Sequence, residues 1–194
     1  MFHVLHRIYV FCWVILSVGA VVWIYPRTGI SEPLLDWYAV WQNQPGPTIK
    51  PAAELSGTVV RVVDGSSFTL QTSDRQFYTI GLLGIMLPVS KPNSPAAELE
   101  AAERSRALLS DLVLSNQVEV AAIGLDPQHR GVGIVHLGKT NINAAVVESG
   151  LVKLKRDYIR GLPWRDQYVL LRAERKARET KTAAKEPDAD KPSL

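Results

Sequence analysis

The rhythm of apolar and polar residues divides this 194-residue chain into segments of different kinds. Residues 8–25, IYVFCWVILSVGAVVWIY, form a run of 18 without a charge. As a helix rising 1.5 Å per residue the run is about 27 Å long, close to the hydrocarbon thickness of a bilayer. Trp23 and Tyr25 stand at its far end, where amphipathic rings favour the headgroup region, and Arg27 follows. The pattern predicts one transmembrane helix within an anchor of residues 1–27. Val18 and Ala20 also suit a signal-peptide cleavage site, but the apolar run continues past them to Ile24, which favours an uncleaved anchor. Cys12 lies in YVFC, without the small residues of a lipoprotein cleavage site. Arg7 and the amino terminus outnumber Arg27 by one charge. That bias places the N-terminus in the cytoplasm and the remainder outside it, periplasmic for a bacterial-type inner membrane.

Residues 28–54 read as a juxtamembrane segment and linker. Leu34, Leu35, Tyr38 and Trp41 recur at helical spacing, with Trp37 alongside. Such a helix suits the membrane interface, a partner's membrane helix or the face of the domain that follows. Residues 44–51, rich in Pro, form the linker.

From Gly57 the rhythm changes to alternation. GTVVRVVDGSSFTLQTSDRQFYTIGLLGI predicts strands at 57–63, 67–72 and 76–85, with turns at Asp64-Gly65 and around Ser73-Asp74. Ser94 as N-cap and Pro95 in the first turn start a helix. Its narrow apolar stripe is Ala101, Ser105, Leu108 and Leu112, and Glu98, Glu100 and Glu103 lie toward its positive end. QVEVAAIG and GVGIVHLG supply a fourth and a fifth strand, and NINAAVVESG a short helix closed by Gly150. A basic helix follows from about residue 163 to 184, with Trp164, Tyr168 and Leu171 on one face, and residues 186–194 have the composition of a disordered tail. The order predicts an α+β domain over residues 55–185. A five-stranded OB-type barrel with packed helices, preceded by the transmembrane helix, is one topology that fits.

Charge sharpens this picture at one place. Lys and Arg total 22 against 19 Asp and Glu, but residues 153–185 hold 11 basic and 4 acidic side chains while residues 57–152 hold 7 and 9. The late basic segment fits phosphates, anionic lipid or an acidic protein face, or is a solvated helix. A single cysteine excludes an internal disulfide, and no Cys/His cluster has metal-ligand spacing.

Four short motifs, in order, carry a resemblance. GTVVRVVDGSSFTL resembles G-x-V-x-x-V-x-D-G-D-T, GLLGIMLP resembles R-L-x-G-I-D-A-P-E, DPQHRGVGIV resembles D-x-Y-G-R-x-L-A, and NINAAVVESGLV resembles N-x-x-L-V-x-x-G-L-A. Together they resemble the staphylococcal nuclease (thermonuclease-like) family over about residues 55–181. The resemblance implies an OB barrel with helices on it and an ancestry in Ca²⁺-dependent phosphodiester hydrolysis.

That chemistry needs hard carboxylate oxygens for the cation, a carboxylate to direct water, and cationic groups for the phosphate. The resemblance puts Ser66 and Met86 where the family has its two carboxylate ligands, Val89 on the base, and Gly81 on the first Arg. Asp64 and Arg130 keep their counterparts. No Asp or Glu occurs between Asp74 and Glu98, so no slip of register restores the acids. Ser66 and Ser67 read as turn residues, and His129 as a surface residue of a turn. The expectation is a catalytically inactive domain with no metal and no cofactor, serving as a docking subunit of a membrane protein complex. The contacts expected are the apolar tip Met86-Leu87-Pro88-Val89 or the Trp37 and Trp41 segment; alternatively Met86 and Leu87 fill the vacated metal cavity. Nucleic-acid or polyanion binding stands second, because Phe68, Phe77 and Tyr78 are few and alternation turns about half inward. A nuclease with a rearranged site stands third.

Overall fold

Strand β1 (Ala53–Asp64) is twice the length of its neighbour β2 (Ser67–Thr72) because it serves two partners. Its beginning pairs antiparallel with β5 (Gln117–Leu125), from Ala53 opposite Ala122 to Thr58 opposite Gln117. Its later part pairs with β2, from Gly57 opposite Thr72 to Asp64 opposite Ser67. The pairing with β2 is irregular between Val59 and Arg61 and between Val62 and Asp64. β2 continues into β3 (Phe77–Leu82), and β5 into β6 (Gly131–Leu137). Ile80 to Leu82 of β3 then pair in parallel with Gly131 to Gly133 of β6 and close the barrel of five strands.

The computed structural model describes residues 31–43, 49–87 and 96–185. The chain divides between Ala39 and Val40 into two units, and helix α1 (Ser31–Gln42) runs across that division. Among the described residues no helix is long and apolar enough to cross a membrane. The expected span at residues 8–25 lies outside the described residues, as do residues 44–48 of the linker, the Ser94-Pro95 cap and the tail at 186–194.

Two strand boundaries differ from the sequence expectation. β1 starts at Ala53 rather than Gly57, since Ala53 to Ser56 are held by backbone pairing to β5 and need no alternation of side chains. The third strand ends at Leu82 instead of running to Ile85. Leu83-Gly84 turns there, with Gly84 at φ +74°, and Ile85–Met86 becomes a separate strand, β4. β4 pairs with β8 (Lys153–Leu154) in a second, two-stranded sheet.

Inside the barrel Val59, Phe68, Leu70, Ile80, Val120 and Val135 are buried almost completely. Each such side chain contributes about 1.5–3 kcal/mol of transfer free energy. Helix α2 (Ala96–Val113) packs on the barrel through Ser105, Leu109 and Val113, not through the expected Leu108 and Leu112, which are half-buried. The β1–β2 turn approaches this face closely: a Cβ on Gly65 would fall 2.0 Å from Ser105 Oγ. β7 (Thr140–Asn141) leads into α3 (Ile142–Glu148), whose N-cap Asn141 accepts from the Ala144 amide at 2.9 Å. Gly150 follows the helix at φ +71°, as expected of a C′ glycine.

A short helix, α4 (Arg156–Ile159), precedes the long basic α5 (Trp164–Lys185). α5 buries Gln167, Leu170, Leu171, Ala173 and Ala177. The expected face holds only at Leu171, for Trp164 is exposed and Tyr168 half-buried. Gln167 explains the shift: its Nε2 donates to the carbonyls of Leu162 at 2.9 Å and Arg160 at 3.0 Å, and its Oε1 accepts from Asn43 Nδ2 at 2.8 Å. These bonds anchor the first turn and leave Trp164 at the rim, edge-on to Tyr168 with ring centres 6.3 Å apart.

Candidate functional site

At the end of β1 the chain turns so tightly that Asp64 folds back on its own loop. Its Oδ1 accepts from both the amide of Ser66 at 2.8 Å and the hydroxyl of Ser66 at 2.9 Å. Its Oδ2 faces Arg130 Nη1 at 3.8 Å. Arg130 arrives from the β5–β6 loop, which Asp126 organises. Asp126 Oδ1 accepts from the amides of Gln128 and Arg130, each at 2.9 Å, and its Oδ2 accepts from Arg130 Nε at 2.7 Å. Arg130 Nη1 also lies 3.5 Å from Ser67 Oγ. Burial alone raises the Asp126 carboxyl. The bonds donated by the Arg130 amide and guanidinium, the Arg130 charge and the Gln128 amide outweigh it and hold the carboxyl below the ordinary aspartate range.

The loop that presents Arg130 contains His129 at φ +59°, in the left-handed region. His129 stands where the D-x-Y-G-R motif has glycine, and the backbone keeps a glycine's conformation. His129 is exposed, as expected for a turn residue.

The structure brings Asp64, Ser66, Ser67 and Arg130 together, with Gly81 beside them. Gly81 sits in β3 opposite Ser67, buried against β6, where a Cβ would make ordinary contacts at 3.8 and 3.9 Å. Met86 pairs with Lys153 across the small sheet, is 42% exposed, and faces a cavity of about 250 Å³ that it shares with Val147, Val152, Ala177 and Lys181. Leu87 is half-buried, and Val89 lies outside the described residues. Trp37 and Trp41 are both exposed.

A second buried polar centre lies behind this loop. Asn143 of α3 is fully buried; its Oδ1 accepts from the Val135 amide at 2.9 Å, and its Nδ2 donates to the carbonyls of Leu83 and Gly133 at 3.2 Å each. It ties the end of β3 to β6 beside the barrel seam. A family model described as staphylococcal nuclease homologue matches residues 79–183, more than half the chain, and takes in β3 from Thr79 onward, the Arg130 loop and Asn143. The chain belongs to the staphylococcal nuclease family. An uncharacterized endonuclease of Haemophilus influenzae is 28% identical over 100 residues, covering 52% of this chain and 52% of that protein. The chain thus spans about half the length of the curated relative it matches.

Staphylococcal nuclease family membership raises the question of calcium, and the residues present do not fit it. Ca²⁺ takes six to eight oxygen ligands, with carboxylates prominent. Here Ser66 occupies the next motif position and donates its hydroxyl to Asp64, spending an oxygen that a cation would need. Among the described residues no three His, Cys, Asp or Glu side chains converge. What the cluster does offer is a part-exposed guanidinium held between two carboxylates, a group able to meet an anion but already neutralised. Asp126 and Asn143 fall within two of the resembling motifs, at positions to which the sequence expectation gives no role. The four-residue spacing of Asp126 and Arg130 was the available signal for the first, and an Asn inside an otherwise apolar short helix for the second.

Proposed function

We propose that this chain is a non-catalytic member of the family, held to a membrane through residues 8–25 and serving as a docking subunit in a membrane protein complex. Its barrel lies on the non-cytoplasmic side. The observation that carries the reading is the Asp64–Ser66 turn: the serine at a position where the family has a metal-ligating carboxylate donates to the nearby Asp64 instead of offering an acid. Supporting it, Met86 stands on a strand of the small sheet, its exposed thioether suited to a protein contact. The 18-residue uncharged run and its flanking cations support the tether and its direction.

The test is cleavage of single-stranded DNA and RNA by the detergent-purified full chain with Ca²⁺. Removing one transition-state donor costs about a hundredfold or more, and several are replaced here, so no cleavage is expected. Ca²⁺-dependent cleavage that disappears in Arg130→Ala would overturn the reading and restore the nuclease alternative, which the name of the Haemophilus influenzae relative favours for that protein. Identifying what co-purifies from the native membrane tests the docking role.

One observation favours a second reading, a non-catalytic binder of single-stranded nucleic acid. Phe68 is buried, but Phe77 and Tyr78 are both exposed. With Leu125, His129 and Arg130 they line an open groove of about 580 Å³. Labelled single strands whose binding weakens in Phe77→Ala would select this reading over the first.

A further inference from the structure

A separate surface lies at the other approach to the domain. The segment from β8 to Asp166 in the first turn of α5 carries five cations, Lys153, Lys155, Arg156, Arg160 and Arg165, against two acids, Asp157 and Asp166. Only Leu154, Ile159, Gly161 and Leu162 turn inward, so the cations stand outside. Aromatic rings stand out with them. Tyr158 is 56% and Trp164 63% exposed, and Lys155 Nζ sits 4.3 Å above the Tyr158 ring. Two contacts draw the end of α1 to the same segment: the buried Asn43–Gln167 bond, and the Ile49 amide donating to the Gly161 carbonyl at 2.6 Å. As a result Trp41, 62% exposed, lines an open cavity of about 310 Å³ with Asn43, Arg156 and Arg160. Arg156 is aimed by Glu174, to which its Nε and Nη2 donate at 3.0 and 2.8 Å.

We propose that this face, Trp41 with Arg156, Arg160, Trp164 and Arg165, docks on the surface of an anionic phospholipid bilayer, the guanidinium groups taking headgroup phosphates and the indoles entering the interfacial layer. Cations flanked by amphipathic rings match a bilayer interface, where the phosphate layer lies above the glycerol region. The charge is of the complementary sign. The sequence supplies the proximity, since Trp41 follows Tyr25 of the uncharged run by sixteen residues. The idea rests on the membrane tether proposed above for that proximity. It differs from the tether in depending on lipid charge.

The experiment uses the full chain with Trp13, Trp23 and Trp37 changed to Phe, so that Trp41 and Trp164 emit alone. It is reconstituted into vesicles of phosphatidylcholine, or of phosphatidylcholine with phosphatidylglycerol, containing a lipid spin-labelled at its headgroup. Strong quenching is expected only in the anionic vesicles. It should fade at about 1 M salt, where the Debye length falls to about 3 Å. Each cation near an anionic leaflet contributes about fivefold, so Arg160→Gln with Arg165→Gln should lower the docked-to-free ratio about 25-fold. Circular dichroism checks that this variant remains folded, and the salt series stands if it does not. Equal quenching in both kinds of vesicle, or none in either, overturns the proposal. So does a change in Trp emission produced by single-stranded DNA in solution and not by anionic vesicles, which would assign the face to nucleic acid. Flotation after alkaline carbonate reads the tether separately: a chain that floats without charge-dependent quenching keeps its anchor and loses this docking face. A chain that does not float, but is quenched by anionic vesicles, keeps the docking face and loses the anchor.

Discussion

Replacing Asn143 by Ala would remove a side chain that bridges the end of β3 and β6 from inside the fold. The Val135 amide would lose its acceptor and the Leu83 carbonyl its donor, both in a buried setting. The Gly133 carbonyl would lose less, because it also accepts from the Leu83 amide at 2.9 Å. Each buried group left without a partner costs about 1–3 kcal/mol, so the sum is about 3 kcal/mol, a large share of the roughly 5–15 kcal/mol that holds a domain folded. At about 2–4 °C per kcal/mol for a body of this size, the melting temperature should fall by about 6–12 °C. Asn143→Asp keeps the acceptor for Val135 but turns both donated bonds into contacts between oxygens unless the acid is protonated. Its folded-state pKa should therefore lie above the unfolded value of about 3.9. The folded state then binds more protons, and stability should fall as pH rises from the unfolded towards the folded value. Thermal unfolding of the three proteins between pH 4 and 8 is the assay. An Ala variant losing less than about 1 kcal/mol, or an Asp variant with no added pH dependence, would show that water or a shifted backbone replaces the amide.

His129→Gly should raise stability by about 0.5 kcal/mol, the relief of about 1–2 kcal/mol of left-handed strain less the extra freedom glycine gives the unfolded chain. A urea midpoint that falls would reveal a contact made by the imidazole. Asp126→Asn tests the loop charge. The lowered pKa makes the carboxylate's contribution present above the unfolded value of about 3.9 and lost as pH falls through the folded value. The Asn variant should be about 1–2 kcal/mol less stable at pH 7 and flatter in acid; parallel wild-type and variant curves below pH 5 would refute this.

Much of the barrel was legible because its inner face alternates. Val59, Phe68, Leu70, Val118 and Val120 fall where period two puts them. The misreadings share a cause: features fixed by backbone or polar contacts leave no apolar signal. Ala53 to Ser56 are strand only because β5 lies beside them. The GLLGI run reads as continuous strand, and only Gly84 marks the break that separates β4. Helix α2 buries Leu109 and Val113 rather than Leu108 and Leu112, and its seat of Ser105 against Gly65 joins two small residues far apart in sequence. At the site, Asp64 and Arg130 were visible as motif remnants, but the neutralising arrangement around them was not. It depends on which way Ser66 and Asp126 point their oxygens, and a one-dimensional pattern does not encode that direction.

The seam between β3 and β6 has a consequence for the order in which this protein assembles. It joins only Ile80 to Leu82 with Gly131 to Gly133, partners about fifty residues apart in sequence, whereas β1–β2 and β2–β3 join neighbours. Closing so long a loop costs chain entropy before the contact returns anything, so the three-stranded meander forms before the seam, as it does before the still longer β1–β5 closure. Asn143, on a helix that follows both edges in the chain, can lock them only after α3 is made. The last-synthesised part of the barrel is therefore the part that decides whether it is a barrel. Before that moment the growing chain presents an open sheet with two free edges, at which a second polypeptide can add a strand.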